Sequence, residues 1–243
     1  EAIGLWGRGL AAIMGVRMHE INRRTGPPGR MIIANHLGFL DIPVLLSRYP
    51  AFFVIKMELR RVPYFGAALA RQGHVFVERG DRRSSKEAAR LLEERLAQGY
   101  PVIVFPEGRA STGAARLPFR PGSFAAAQRA GATVEGCVID YLPRREQLEW
   151  DPARPTLPQL ADLMGRRRIH VSVEHLPAAP VEGDPHAAAE AWRRRFEERL
   201  ERYDRARCAR APERCAGAPG QRAHAPVRGV VFDLDGTLYE LEG

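Results

Sequence analysis

Four short apolar runs punctuate the first half of the chain, at residues 30–34, 51–55, 73–77 and 101–105, and each empties into a polar cluster. Runs of this length, bounded by turn residues, read as buried strands. Residues 15–21 predict a strand ahead of them, closed by the turn Thr25-Gly26-Pro27-Pro28-Gly29, and residues 133–141 and 169–174 predict two more behind. Between the runs the pattern changes to a helical period. A helix starts at Asp41 and continues through 42–46, with Pro43 in the first turn where no N–H is needed. Residues 59–70 read as a helix broken near Pro63 and Gly66. Ser84 and Glu87 form a capping box for a helix carrying Leu91, Leu92 and Leu96 that stops at Gly99, and 121–130 is a short helix.

The two ends of this array are amphipathic. Residues 2–14 place Ile3, Leu5, Trp6, Leu10 and Ile13 broadly along one side of a helix, which fits packing on the core or lying on a membrane surface with Trp6 at the interface. Residues 185–204 carry Trp192, Phe196, Leu200 and Tyr203 at helical spacing among Arg and Glu, a closing helix for the core. The stretch between 141 and 169 reads as a loop rich in Pro and Arg. Strands alternating with helices predict an α/β fold with a largely parallel central sheet flanked by helices. One domain spans 1–205, a basic Ala/Arg/Pro/Gly linker spans 206–226, and a further short segment spans 227–243.

Composition narrows the partners. The chain has 243 residues, 45% of them hydrophobic, enough for a sizeable core, and a net charge of +8 that favours anionic partners: nucleic acid, a membrane surface or phosphorylated substrates. Lys occurs only at 56 and 86, so the basic charge is nearly all Arg and Lys56 stands out. Cys137, Cys208 and Cys215 form no Cys-x-x-Cys pair, which reads as a reducing compartment without structural zinc. No apolar run reaches the roughly 18 residues that would span a bilayer, and no secretory signal is visible, although the chain begins at Glu1 rather than Met.

Candidate chemistry lies where strands end. His36 follows the strand at 30–34 and Asp41 opens the next helix. Within one continuous helix, five positions would turn the two side chains about 140° apart, whereas a strand-loop-helix junction lets the carboxylate fold back onto one imidazole nitrogen. The other nitrogen is then free to take a proton from a hydroxyl. Lys56 and Glu58 end the strand at 51–55, Arg79 follows the one at 73–77, and Glu107 through Ser111 follow the one at 101–105. In a parallel sheet these four ends converge on one edge. Taken singly, each has a structural alternative: helix capping by Asp41, an ion pair between Lys56 and Glu58, a solvated face around Arg79, a turn carboxylate at Glu107.

In this order, Asn-His-x4-Asp (35–41), Lys-x-Glu-Leu (56–59), Gly-x-x-Phe-Val-x-Arg (73–79) and Phe-Pro-Glu-Gly (105–108) resemble the glycerolipid acyltransferases, especially the 1-acylglycerol-3-phosphate acyltransferases, over roughly residues 5–180. The resemblance implies the α/β fold of glycerol-3-phosphate acyltransferases and transfer of a fatty acyl group from acyl-CoA or acyl carrier protein to the free hydroxyl of lysophosphatidic acid. The product would be phosphatidic acid, and no cofactor beyond the acyl donor is expected. By the same resemblance His36 is the catalytic base and Asp41 its orienting partner. Gly73, Phe76 and Arg79 belong to the acceptor-binding motif, with Arg79 on the acceptor phosphate, and Phe105, Pro106, Glu107 and Gly108 line the acceptor site. Lys56, or a loop backbone N–H, would stabilise the oxyanion. The family usually continues Phe-Pro-Glu-Gly with Thr-Arg-Ser, where this chain has Arg109-Ala110-Ser111, and the proline of the fourth motif is missing from Thr133-Val134-Glu135-Gly136-Cys137. Both departures bear on the acceptor and leave another lysolipid, such as lyso-ornithine lipid, as an alternative.

Residues 230–238, Val-Val-Phe-Asp-Leu-Asp-Gly-Thr-Leu, resemble the first motif of haloacid-dehalogenase-like phosphohydrolases, in which Asp233 would be the nucleophile, Asp235 the acid/base, and magnesium would lie between them. Only the start of such a domain is present, so no phosphatase activity is expected from this chain; a fusion whose main activity is a phosphatase is the rival reading. Nucleic acid is not an expected partner, since no recognition motif accompanies the charge. The expected location is the cytoplasmic face of the cell membrane, peripheral or monotopic, on an anionic surface.

Overall fold

The structure, a computed structural model, describes residues 2–22, 30–60, 65–78, 81–110, 116–142, 148–149, 151, 154, 156–210, 231–232 and 238–239. Among them the main strands, numbered in chain order, are β1 (Val16–Ile21), β2 (Met31–Ala34), β3 (Phe52–Lys56), β4 (Val75–Val77), β5 (Val102–Val104), β6 (Val134–Leu142) and β7 (Ile169–Ala179). They form one sheet in the order β1-β7-β6-β2-β5-β3-β4. The strands from β2 to β6 run parallel, as the alternation with helices predicts. At the other flank β7 runs antiparallel to β6, and β1 pairs parallel to β7. Strand direction depends on the geometry of the connection, which the residue pattern does not encode.

The helices are α1 (Ala2–Ile13), α2 (Asp41–Arg48), α3 (Met57–Arg60), α4 (Phe65–Arg71), α5 (Arg82–Ala97), α6 (Gly122–Arg129), α7 (Thr156–Met164) and α8 (Pro185–Arg210). Both faces of the sheet are covered. Met31, Ile33, Val102, Val134 and Val138 point to Leu92 and Leu96 of α5, Phe124 of α6, and Trp192, Phe196 and Leu200 of α8. Ile32, Ala34, Ile103, Cys137, Ile139 and Tyr141 point to the opposite face, beneath α1 and α2. Alternation along a strand thus sends neighbours into two different cores. Two close approaches set the layers: a Cβ on Gly7 would lie 2.5 Å from Leu46 of α2, and one on Gly136 would lie 2.8 Å from the Trp192 ring.

Several expectations are corrected. Of the predicted stripe on α1, Ile3, Trp6 and Leu10 pack against the core, whereas Leu5 and Ile13 are exposed and the most buried positions are Gly4, Gly7 and Ala11. The small residue Gly7 lets α1 sit directly on α2, which turns Leu5 and Ile13 away from the core. Helix α5 starts two residues before Ser84. Asp81 caps it by accepting from the Arg83 N–H at 2.8 Å, and the Ser84 hydroxyl instead accepts from the Glu78 N–H. Helix α7 lies in the stretch read as loop, and α8 runs to Arg210, into the segment read as linker. Cys137 is a buried thiol, while Cys208 is disulfide-bonded, a departure from the reduced reading. A short antiparallel pair, β8 (Val231–Phe232) and β9 (Leu238–Tyr239), brackets the Asp-x-Asp motif. Asp233, Asp235 and the turn at 25–29 lie outside the described residues.

Candidate active site

The site is built where β2 stops. Asn35 continues the sheet with its side chain: its amide donates to the Ile139 carbonyl at 2.9 Å and accepts from the Ile139 N–H at 2.8 Å. A strand end that would fray is thereby locked to β6. The backbone then leaves the sheet, and His36 lies in the loop with 21% of its side chain exposed.

Asp41 is the first residue of α2 and is fully buried. One carboxylate oxygen, Oδ2, accepts from His36 Nδ1 at 2.7 Å, from the Leu37 N–H at 2.7 Å and from the Gly38 N–H at 2.9 Å. The other, Oδ1, accepts from the Tyr141 hydroxyl. Asp41 therefore does not cap its own helix; it gathers the loop before it. With Oδ2 acting as acceptor, Nδ1 of His36 carries the hydrogen and Nε2 presents its lone pair. Nε2 makes no hydrogen bond to a described residue. The imidazole lies flat on the Phe105 ring, centroids 4.0 Å apart and planes 13° from parallel, so its orientation is fixed from two sides.

That stack also brings the Phe-Pro-Glu-Gly loop to the imidazole. The Gly108 N–H closes a turn on the Phe105 carbonyl at 2.9 Å, and the Arg120 N–H donates to the Pro106 carbonyl at 2.9 Å. Gly108 has φ +70°, a backbone conformation that favours glycine, and the Arg120 guanidinium packs against it. Glu107 is buried and shares a cavity with Asn35, Leu37, Arg116, Phe119 and Phe196, while Arg109, two residues on, is exposed.

The other predicted residues divide into three groups. Phe76 lies on β4 with Arg60 over its ring, 5.6 Å from the centroid. Gly73 stands at the amino end of β4, on the edge of the sheet away from His36; its φ of +79° and its proximity to Phe52 serve the turn from α4 into β4. The backbone of Lys56 ends β3 on the site edge, but the side chains of Lys56 and Glu58, and all of Arg79 and Ser111, lie outside the described residues. Tyr141 was missed from sequence. It stands on a strand that reads as core, and burial, aided by the Asp41 charge, pushes its phenol well above the ordinary range, so it stays a donor. Its only sequence signal is a hydroxyl on a largely apolar strand.

Comparison with known proteins gives the family and the fold. A family model described as Acyltransferase matches residues 16–140. The 1-acyl-sn-glycerol-3-phosphate acyltransferase of Neisseria meningitidis is 35% identical over 137 residues, covering 56% of this chain and 53% of the relative. The lyso-ornithine lipid O-acyltransferase of Rhodobacter capsulatus is 36% identical over 115 residues, covering 47% and 41%. The chain thus spans about half the length of the curated relatives it matches. In fold it is similar to the crystal structure of the 1-acyl-sn-glycerophosphate acyltransferase from Thermotoga maritima, with a TM-score of 0.60 over 90% of this chain and 80% of that one at 22% identity. With a family model matching residues 16–140, over half its length, the chain belongs to the acyltransferase family.

Proposed function

We propose that the protein transfers a fatty acyl group from an acyl-CoA or acyl carrier protein thioester to the free hydroxyl of lysophosphatidic acid, with His36 as general base. The single observation that carries this reading is the His36 Nδ1–Asp41 hydrogen bond, which leaves Nε2 available on a partly exposed imidazole. As the acceptor oxygen attacks the thioester carbonyl, Nε2 takes its proton; the tetrahedral intermediate then expels the thiolate, which recovers that proton from the imidazolium. No serine or cysteine nucleophile is needed, and base assistance of this kind supplies about 10²–10⁴ in rate. The Leu37 and Gly38 N–H groups are occupied by Asp41, so they do not serve as the oxyanion donors. Lys56, at the site end of β3, retains that role in this reading. Arg109, in the loop after β5, and Arg79, which follows β4 in the sequence, are the proposed phosphate ligands, since guanidinium offers paired charge-assisted hydrogen bonds.

A second acceptor has its own support. The altered Arg109-Ala110-Ser111 sequence departs from the glycerol-phosphate pattern, and lyso-ornithine lipid acyltransferases match at similar identity. A peripheral position on an anionic bilayer completes the reading. Among the described residues no helix is long and apolar enough to cross a membrane. Exposed Ile13 and Met164 flank the start of β1 and β7, near exposed Arg17, Arg167 and Arg168, which make no ion pair among the described residues. The register of β7 against β6 puts this rim on the edge where Asp41 sits. Each arginine near an anionic surface adds about 1 kcal/mol of attraction.

The test is an acceptor panel on purified protein with defined acyl donors, presented in vesicles with and without anionic lipid. Phosphatidic acid formation, faster on anionic vesicles, is expected. Refusal of every glycerol-phosphate lysolipid, with use of lyso-ornithine lipid, selects the second acceptor, and refusal of all lysolipids removes the reading.

A further inference from the structure

We infer that Tyr141 is a positioning residue for the general base, setting through Asp41 how firmly His36 holds its proton. The inference rests on the proposed acyl transfer and extends it to a residue of β6 to which the sequence assigned no chemistry. Four donors converge on the Asp41 carboxylate, unevenly. Oδ2 takes three, the imidazole among them, and Oδ1 takes the Tyr141 hydroxyl alone. Without that hydroxyl nothing described holds Oδ1, and the carboxylate is free to rotate about its Cβ–Cγ bond, away from the plane that His36 needs. The phenol therefore fixes the carboxylate as the carboxylate fixes the imidazole.

The hydroxyl has an electronic effect as well. A donor on Oδ1 draws charge from the carboxylate and weakens its hold on an imidazolium at Oδ2. A general base has to release the proton it has taken, here to the departing thiolate, so an Asp41 that is too basic would trap His36 in its charged form. Tyr141 keeps the pair between these limits. The groups facing this carboxylate are few. They are His36 and the Leu37 and Gly38 amides from the loop, Tyr141 from β6, and the buried thiol of Cys137, whose pKa is also raised in part by the Asp41 charge. Glu149 and Asp140 act on Tyr141 at longer range, and both reinforce its protonated form.

Strand β6 is itself anchored on its other face. Asp140, next to Tyr141, receives one nitrogen of Arg207 on both carboxylate oxygens, at 2.9 and 2.7 Å. Ile139, one residue further back, is held by the Asn35 side chain. Three consecutive residues of one strand are thus tied to α8, to the base of the catalytic loop and to Asp41, so the phenol is delivered from a rigid support.

The test compares wild type, Tyr141→Phe and a protein carrying 3,5-difluorotyrosine at position 141, a stronger donor of nearly the same shape. Tyr141→Phe is expected to lower kcat about tenfold, the size of one lost charge-assisted hydrogen bond, with the acceptor KM unchanged. The acidic limb of the kcat/KM profile should move to higher pH with Phe and to lower pH with difluorotyrosine. The Nδ1 proton of His36, followed by NMR, should shift in opposite directions in the two variants, a readout that does not need turnover. In an Asp41→Asn background, Tyr141→Phe should add less than about a twofold loss, because the effect runs through Asp41. Unchanged profiles and an unmoved Nδ1 resonance would overturn the inference while leaving acyl transfer by wild type intact. A full additional loss in the Asp41→Asn background would likewise reduce Tyr141 to packing. If wild type transfers no acyl group, the functional reading fails, and the resonance shifts alone decide whether Tyr141 acts on the pair.

Discussion

Asp41 and Glu174 are both fully buried carboxylates, one at the β2–α2 junction and the other on β7 under α8, yet they are satisfied in different ways. Glu174 is neutralised: Arg202 donates at 2.6 Å, Arg199 at 3.2 Å and Tyr203 at 2.8 Å. Burial pushes its carboxyl upward, but the hydrogen bonds from Arg202 and Tyr203 and the arginine charges outweigh burial and bring it below the ordinary range. Asp41 has no arginine partner among the described residues. Its partners are two backbone amides, a phenol and an imidazole, all able to hold a carboxylate without cancelling its charge. A charge matched by guanidinium is spent on joining α8 to the sheet. One held by neutral dipoles remains available to an imidazolium that forms during reaction.

The largest effect expected from this contrast is kinetic. Asp41→Asn keeps the shape but no longer selects the Nδ1–H tautomer, and kcat should fall about 10²–10⁴-fold with the acceptor KM little changed. A steady-state assay checks this, and a loss confined to KM would mean that Asp41 serves binding instead.

A third buried group sharpens the comparison by being neutral. His74 accepts from the Phe53 N–H at 3.0 Å and bonds Gln72 at 3.0 Å. Burial lowers its pKa from 6.5 to about 4. Between these values the unfolded chain binds a proton that the folded one refuses, so stability should fall as pH drops from about 6.5 to about 4, by up to about 3 kcal/mol. Urea titrations across that window should show the loss, and His74→Gln should flatten this part of the slope.

Glu174→Gln should have the smallest effect and act on stability alone. It should cost about 1–3 kcal/mol by weakening charged hydrogen bonds under α8, a figure at the low end because the arginines are partly exposed to screening solvent. Its kcat should stay that of wild type. A large drop in kcat with stability intact would erase the distinction between the two carboxylates.

The Asp41 region was far more legible in sequence than the Glu174 region. His36 and Asp41 are close in sequence, and a strand-to-helix junction has few ways to arrange them, so their contact followed from local geometry. The partners of Glu174 come from α8, and Tyr141 reaches Asp41 from about a hundred positions away; such contacts depend on register and strand direction. The antiparallel turn of β7 and the small-residue face of α1 escaped for the same reason. Gly4, Gly7 and Ala11 carry little hydrophobic signal, yet they permit the close approach that decides which side of α1 is buried. Gly73 belongs by motif to the acceptor-binding set, yet it stands in the turn before β4, on the edge of the sheet away from His36.

The most direct test of the His36–Asp41 pair is single-turnover acyl transfer from an acyl-CoA thioester to lysophosphatidic acid, run on purified wild type and His36→Ala with folding checked by circular dichroism. The account predicts phosphatidic acid from wild type and a loss of at least about 10³-fold in the variant. A folded His36→Ala protein that transfers acyl groups at near the wild-type rate would contradict it.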